Sequence, residues 1–256
     1  MKGIYSSTNF YYVLGVLNIG DGWISHYHPN HNEHRAIHII GCVSKDFDLI
    51  EEFSRCINSV WGKNPKIEKR LPKSPKWAIR YFATLHSKPI VEFLLSLAPL
   101  EYYRDISAQI VPSVYDAPLE CQRAYLQAFF DGQGSVDIKR RVIRASKKQI
   151  AVLEYIRKML AGFGLSSYVT RGKNPTIKIQ PGYTKIFEQA IGFRCKRKAE
   201  ALKIIPATFQ RHPILTAENI TQMNTLLATG LSKSEIARRM GVSRGCVTKR
   251  VTRNQL

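Results

Sequence analysis

Leu14–Gly22 (LGVLNIGDG) and Leu126–Gly134 (LQAFFDGQG) are two copies of one short pattern, an apolar run closing on a Gly-x-Gly step, set 112 residues apart. Repetition at that period in a 256-residue chain predicts two similar halves about a pseudo-twofold axis. Ala128 and Gly132 stand four apart and share one face of a helix, where missing side chains let two backbones approach closely. Gly15 and Gly20 serve the first copy less regularly. Two helices crossing in this way bring their C-terminal ends together, and with them residues 21 and 133. Asp21 then offers a carboxylate suited to a hard divalent cation. A core helix ending on a glycine C-cap explains either copy alone, but not two copies in register.

The length allows one large or two medium domains, and 44% apolar content suffices for a buried core. Thirty-nine Lys and Arg stand against nineteen Asp and Glu, a formal charge of +20 that points to a polyanionic partner, nucleic acid first. An anionic membrane surface would attract the same charge, but no uninterrupted apolar span near 20 residues and no signal peptide is visible. The five cysteines are scattered without a CxxC pair, which argues for a reducing, intracellular setting and against a thiolate zinc site. Self-splicing is not expected either, since neither a first-residue nucleophile nor a terminal Asn with a following Cys, Ser or Thr is present.

After Gly22 the pattern is strand-like through Trp23 to Tyr27, breaks at Pro29 to Asn32 and resumes from Ala36 to Val43, a β-hairpin with a polar tip. Ser44 is expected to cap a helix carrying Phe47, Ile50, Phe53, Ile57 and Val60, stopped by Gly62. A second hairpin is expected from Lys66 to Thr84, turning at Pro72 to Pro75, and then a helix from Ile90 to Leu97. The second half repeats the order: a helix to Asp131, strands Ser135–Lys139 and Val142–Ala145, and a helix capped by Ser146 and ended at Gly162 and Gly164. Strands near 168–170 and 176–179 and a helix from Thr184 to Ala190 complete it.

Alternate side chains along Val136 to Arg144 project from one face of such a sheet, and a curved basic ribbon fits the major groove. Lys139, Arg140, Arg141 and Arg144 are the candidates there, for guanine edges or phosphate, with a solvated charge run as the plainer reading. His26, His28, His31 and His34 crowd the first hairpin, but their spacing is no standard zinc pattern, so His28, His31 and Arg35 are read as hairpin-tip residues reaching DNA. Lys69 and Arg70 lie in a basic, proline-punctuated stretch that reads as a clamp on the phosphate backbone or simply as a soluble loop.

From Leu215 the chain resembles a resolvase-type helix-turn-helix (LTAENITQMNTLLATGLSKSEIARRMGVSRGCVTKRVTRN). Thr216 caps its first helix, Ser232 and Glu235 form a capping box for the second, Gly241 makes the turn and Ser243 caps the third. The last helix of such units lies in the major groove, which puts Arg244, Thr248 and Lys249 at base edges and Arg250 and Arg253 at phosphates.

The two motifs, their spacing and the repeated helix and hairpin order together resemble the single-chain LAGLIDADG homing endonucleases over roughly residues 10 to 203. The resemblance implies an α+β fold of two pseudo-symmetric αββαββα halves, residues 1–104 and 105–205, with a small all-α helix-turn-helix domain at 206–256. It implies a monomer that grips a long double-stranded DNA site and hydrolyses phosphodiester bonds with Mg2+ or Mn2+, Ca2+ being a noncatalytic substitute. Asp21 takes the place of the metal-binding acid of the first motif, with Gln133, Gly20 and Gly132 as the other metal ligands, and Lys88 and Lys185 fit the family's lysine near the start of each half's last helix. At 133 the family's pattern wants Asp or Glu, and Gln133 lacks the charge that neutralises a divalent ion. A nickase, an introduced change that traps a complex, and a protein retired from cleavage all follow from this departure. Three functions are thus in play: a site-specific DNA endonuclease, a noncatalytic DNA-binding regulator with a degenerate core, and more weakly an RNA maturase.

Overall fold

Every residue from Phe10 to Asn18 is buried, and so is the run from Ala124 to Asp131 apart from Gln127. Helices apolar all round in this way belong at the centre of a fold rather than on its surface. The computed structural model describes residues 4–27, 37–72, 74, 78–103, 109–138, 140–205, 217–240, 244–245 and 247–248. Of the residues singled out from the sequence, His28, His31, His34, Arg35, Pro75, Lys139, Thr216, Gly241, Ser243, Lys249, Arg250 and Arg253 lie outside the described residues.

The first half runs α1 (Thr8–Asn18), β1 (Gly22–Tyr27), β2 (Ile37–Ser44), α2 (Phe47–Trp61), β3 (Lys66–Arg70), β4 (Arg80–His86) and α3 (Lys88–Leu97). The second runs α4 (Leu119–Gln133), β5 (Gly134–Asp137), β6 (Val142–Ser146), α5 (Ile150–Gly162), β7 (Ser167–Thr170), β8 (Thr176–Ile179), α6 (Thr184–Ala190) and α7 (Lys196–Lys203). Each half builds one four-stranded antiparallel sheet, ordered β1-β2-β4-β3 and β5-β6-β8-β7. Ile24, Ile40, Cys42 and Ala83 of one sheet, and Ile143, Ala145 and Ile177 of the other, point into the core. Alternation then turns their neighbours outward on the opposite face.

Gly62, at φ 63°, ends α2 in the left-handed conformation that a glycine adopts without penalty. Three local expectations are corrected. Ser44 and Ser146 are the last residues of β2 and β6 rather than N-caps; α2 starts after Asp46, whose N–H bonds to Ser44 Oγ at 3.1 Å, and α5 after Gln149. Helix α4 continues past Asp131 to Gln133. Helix α7 was not foreseen, its short basic run lacking a clear apolar stripe.

Helix α7 and the segment leading into it fasten the two halves. Arg197 makes a two-pronged contact with Asp46, both bonds at 2.8 Å, and Arg194 Nη1 reaches Glu52 at 2.7 Å. Beneath them Asp131, fully buried, accepts hydrogen bonds from the Tyr12 hydroxyl at 2.9 Å and from the backbone N–H groups of Arg194 and Cys195 at 3.2 and 3.1 Å. Such a network is well satisfied, yet burial still penalises the charged carboxylate.

Residues 208–256 form a separate compact unit from 1–207. It contains α8 (Ala217–Ala228), α9 (Lys233–Arg239) and helical turns at 244–245 and 247–248. Ser232 caps α9, its Oγ accepting from Glu235 N at 3.2 Å, and Met223, Ile236, Ala237 and Val247 make the core. No helix among the described residues is long and apolar enough to cross a membrane.

Burial pushes the Asp131 carboxyl up to about 6. The folded protein therefore holds a proton there over a window in which the unfolded carboxyl, near 3.9, has lost it, and this group's stabilisation is lost as pH rises from about 4 to 6. In urea titrations the unfolding free energy of the wild type, measured relative to Asp131→Asn, should fall by about 2–3 kcal/mol across that window. A pH-independent difference would show that the carboxyl stays charged in the folded chain.

Candidate metal and nucleic-acid site

The crossing of α1 and α4 sets the site's position. A Cβ on Gly15 would stand 2.7 Å from the Tyr125 carbonyl oxygen and 2.8 Å from Ala128 Cβ, so the two backbones touch here and a larger side chain at 15 would force them apart. One polar residue interrupts the apolar contact: buried Asn18 accepts from the Tyr125 hydroxyl and from Val111 N at 3.3 Å, and donates to the Gln109 carbonyl at 2.9 Å. It anchors the end of α1 against the start of the second half.

At the C-terminal ends of the two helices Gln133 Nε2 donates to Asp21 Oδ1 at 2.5 Å and lies 3.5 Å from the Gly20 carbonyl oxygen. Gly132 meets the same carboxylate: a Cβ there would stand 3.3 Å from Asp21 N and 3.4 Å from Oδ2. Residues 21 and 133 thus touch, with only one of them charged.

Two lysines that the sequence reading did not single out stand at these helix ends. Lys147 Nζ donates to the Ile19 carbonyl at 3.3 Å. Lys198 Nζ donates to the carbonyls of Phe130, at 3.2 Å, and Asp131, and approaches that of Gly132 at 3.4 Å. Both side chains are buried, and an ammonium is favoured where a helix presents its unpaired carbonyls. Burial holds the Lys198 amine below the usual lysine range.

Asp21 lines two clefts. One, of about 1070 Å3, is bordered by Lys45, Arg70, Arg80, Arg197 and Lys198. The other, of about 910 Å3, is bordered by Trp23, Gln133, Lys147, Lys148 and Asn174. The oxygen donors gathered here are the Asp21 carboxylate, the Gln133 amide and the carbonyls of Gly20 and Gly132. They suit a hard cation, and a single carboxylate suits one whose remaining ligands are water and phosphate. No group of three or more His, Cys, Asp or Glu gathers here or anywhere else among the described residues.

The other candidates are dispersed. Lys88 pairs with Glu92 at 3.7 Å at the start of α3, and Lys185 with Glu188 at 2.7 Å at the start of α6; neither borders a cleft that contains Asp21. Arg70 borders one, its guanidinium 4.2 Å from the Phe82 ring centroid, but Lys69 points to the opposite face of β3. Arg144 lies on the outward face of β6, Arg140 and Arg141 in the turn before it, Arg141 at φ 55°. Arg244 and Thr248 are exposed in the second unit, the Thr248 hydroxyl donating to the Arg244 carbonyl at 3.0 Å. A signal for Lys147 was present: Ser44-Lys45 at the end of β2 recurs as Ser146-Lys147 at the end of β6. Lys198 had none, since nothing in RCKRKAE separates a buried lysine from its exposed neighbours.

Residues 120–198 match the family described as the LAGLIDADG-like domain. Over 120 residues the chain is 29% identical to the DNA-directed RNA polymerase subunit Rpo1C of Methanocaldococcus jannaschii, a stretch that is 46% of this chain and only 14% of that protein. Among solved structures, the homing endonuclease I-DmoI in complex with DNA and Mn superposes with a TM-score of 0.54 at 18% identity, over 73% of this chain and 97% of that one. The homing endonuclease I-WcaI bound to its DNA recognition sequence gives 0.51 at 16% identity, over 77% and 85%. The chain therefore carries a LAGLIDADG-like domain in residues 120–198 and shares the fold of I-DmoI over about three quarters of its length.

Proposed function

We propose that this chain is a metal-dependent, site-specific DNA endonuclease of the homing type, with one half of its active site chemically weakened. The observation that carries the reading is the contact of Asp21 with Gln133 at the crossing of two repeated helices, between two lysine-bordered clefts. The structures of I-DmoI with DNA and Mn, and with DNA and Ca, have the same fold and support the choice of ligand.

A divalent ion, Mg2+ or Mn2+, supplies Lewis-acid stabilisation of charge on the phosphoryl oxygens when bound. Asp21 would contribute the negative charge that attracts it and Gln133 a neutral oxygen, with the carbonyls of Gly20 and Gly132 as the remaining protein donors. Lys147 and Lys198 add positive charge on either side of the carboxylate, where charge develops on a scissile phosphate. Because Gln133 gives no second carboxylate, the two strands meet unequal chemistry, and nicking is the expected activity. Gln133 also favours a second reading, a noncatalytic DNA-binding regulator on a degenerate core. Residues 215–256 act as an added DNA-binding unit of the helix-turn-helix kind, with Arg244, Thr248, Lys249 and Arg250 as its candidates for the duplex and residues around 205 to 214 as the link to the core.

Affinity for a specific duplex should fall by about a thousandfold between roughly 50 and 200 mM salt, since a basic surface of this size displaces many counterions. Fluorescence anisotropy on a labelled duplex measures it, and a flat salt response would refute DNA binding. Deleting residues 208–256 should weaken binding about tenfold or more while the remaining core keeps its circular dichroism; unchanged affinity would assign the unit to another partner. On a supercoiled plasmid bearing the target, with magnesium, the protein should nick one strand slowly, Gln133→Glu should give linear product, and Asp21→Asn should lose cleavage by about a thousandfold while still binding. An inert Gln133→Glu protein on a confirmed target would favour the noncatalytic regulator, and cutting by Asp21→Asn would overturn the assignment of Asp21.

A further inference from the structure

The two sheets present the same row of positions with opposite chemistry. In the first, the outward row across the strands reads Trp23, Gly41, Thr84, Lys66; in the second the equivalent row reads Ser135, Arg144, Lys178, Tyr168. Trp23 lies flat over Gly41, whose missing Cβ would stand 2.4 Å from the indole ring. The next outward positions, Ile39, Val43 and Phe82, extend this apolar surface. Its charges gather at one edge, where Lys66 and Arg70 share Glu68, at 2.8 and 3.2 Å, and Arg80 stands opposite Arg70. In the second sheet Arg144 and Lys178 are adjacent partners across β6 and β8, Arg144 held by Ser135 Oγ at 3.3 Å and Lys178 set 6.0 Å above the Tyr168 ring. Neither forms an ion pair among the described residues.

Building on the DNA-binding reading above, we infer that the two sheets read their half-sites by different chemistry: the first by apolar contact with thymine methyl groups around Trp23, Ile39 and Phe82, the second by hydrogen bonds from Arg144 and Lys178 to purine edges. Thymine's C5 methyl is the one apolar group in the major groove, and guanine O6 and N7 are acceptors matched to a guanidinium or ammonium. The charge of +20 and the basic borders of the clefts make the duplex the occupant of both faces. The first half-site is therefore rich in A·T pairs, and the second holds guanines.

The test starts from duplexes enriched by the full-length protein from a random pool, then substitutes base analogues in one half-site at a time. Replacing thymine by uracil, which deletes only the methyl, should weaken binding about fourfold per contacted base in one half-site and leave the other unchanged. Replacing guanine by 7-deazaguanine, which deletes the N7 acceptor, should weaken binding about tenfold in the opposite half-site alone. Trp23→Ser, which installs the residue of the equivalent position, should abolish the uracil effect, and Arg144→Ala with Lys178→Ala the deazaguanine effect. The analogue arms use the unaltered protein and stand whether or not Trp23→Ser folds. Equal responses of the two half-sites, or a uracil effect surviving in folded Trp23→Ser, overturn the inference while DNA binding stands. A pool from which no duplex is enriched overturns DNA binding itself, and the inference with it.

Discussion

Everything in the core depends on the distance at which α1 and α4 cross. Because Gly15 has no side chain, the backbone of α1 rests directly on Tyr125 and Ala128, and the ends of both helices come near enough for Gln133 to bond to Asp21. Interiors are close-packed, so a displacement of one helix is transmitted rather than absorbed. Each sheet follows directly from the end of its own helix, β1 at Gly22 and β5 at Gly134, so the crossing also fixes the relation between the sheets.

The halves are not equivalent copies. Where the first motif has buried Asn18 bonded to the second half's backbone, the second has Phe130 in an aromatic cluster with Phe129 and Phe187. Where the second has Asp131 held by Tyr12, the first has apolar Ile19. Each polar residue reaches across to the other half, and Arg194, just before α7, and Arg197, within it, add a further cross-tie. Similar backbones thus carry unlike side-chain networks, in the core as on the outward faces.

Periodicity made the repeated order of helix and hairpin legible, and the offset of 112 residues placed position 21 against position 133. Both are local or symmetric signals. Lys198 was not legible because its role comes from burial over another segment's carbonyls, a tertiary fact to which a lysine in a basic run gives no clue, whereas Lys147 had only the faint signal of a repeated Ser-Lys step. Lys88 and Lys185 fit a pattern of position, but each sits at a helix start beside a glutamate one turn on, and the local ion pair claims it. Ser44 and Ser146 have the composition of helix caps, yet each is the last residue of its strand, since ladder pairing to Tyr81 and Thr176 outweighs a local cap.

The amide at 133 has a consequence for the folded chain when no cation is at hand. Two carboxylates about 4 Å apart at a partly screened site repel by about 4 kcal/mol, a large share of a domain's stability, and a fold built on such a pair depends on the supply of divalent ions in its surroundings. Here an N–H points at the carboxylate instead, and attraction replaces repulsion across the crossing. The crossing thus carries one negative charge instead of two, and holding its helix ends together does not require a cation to offset a pair of like charges.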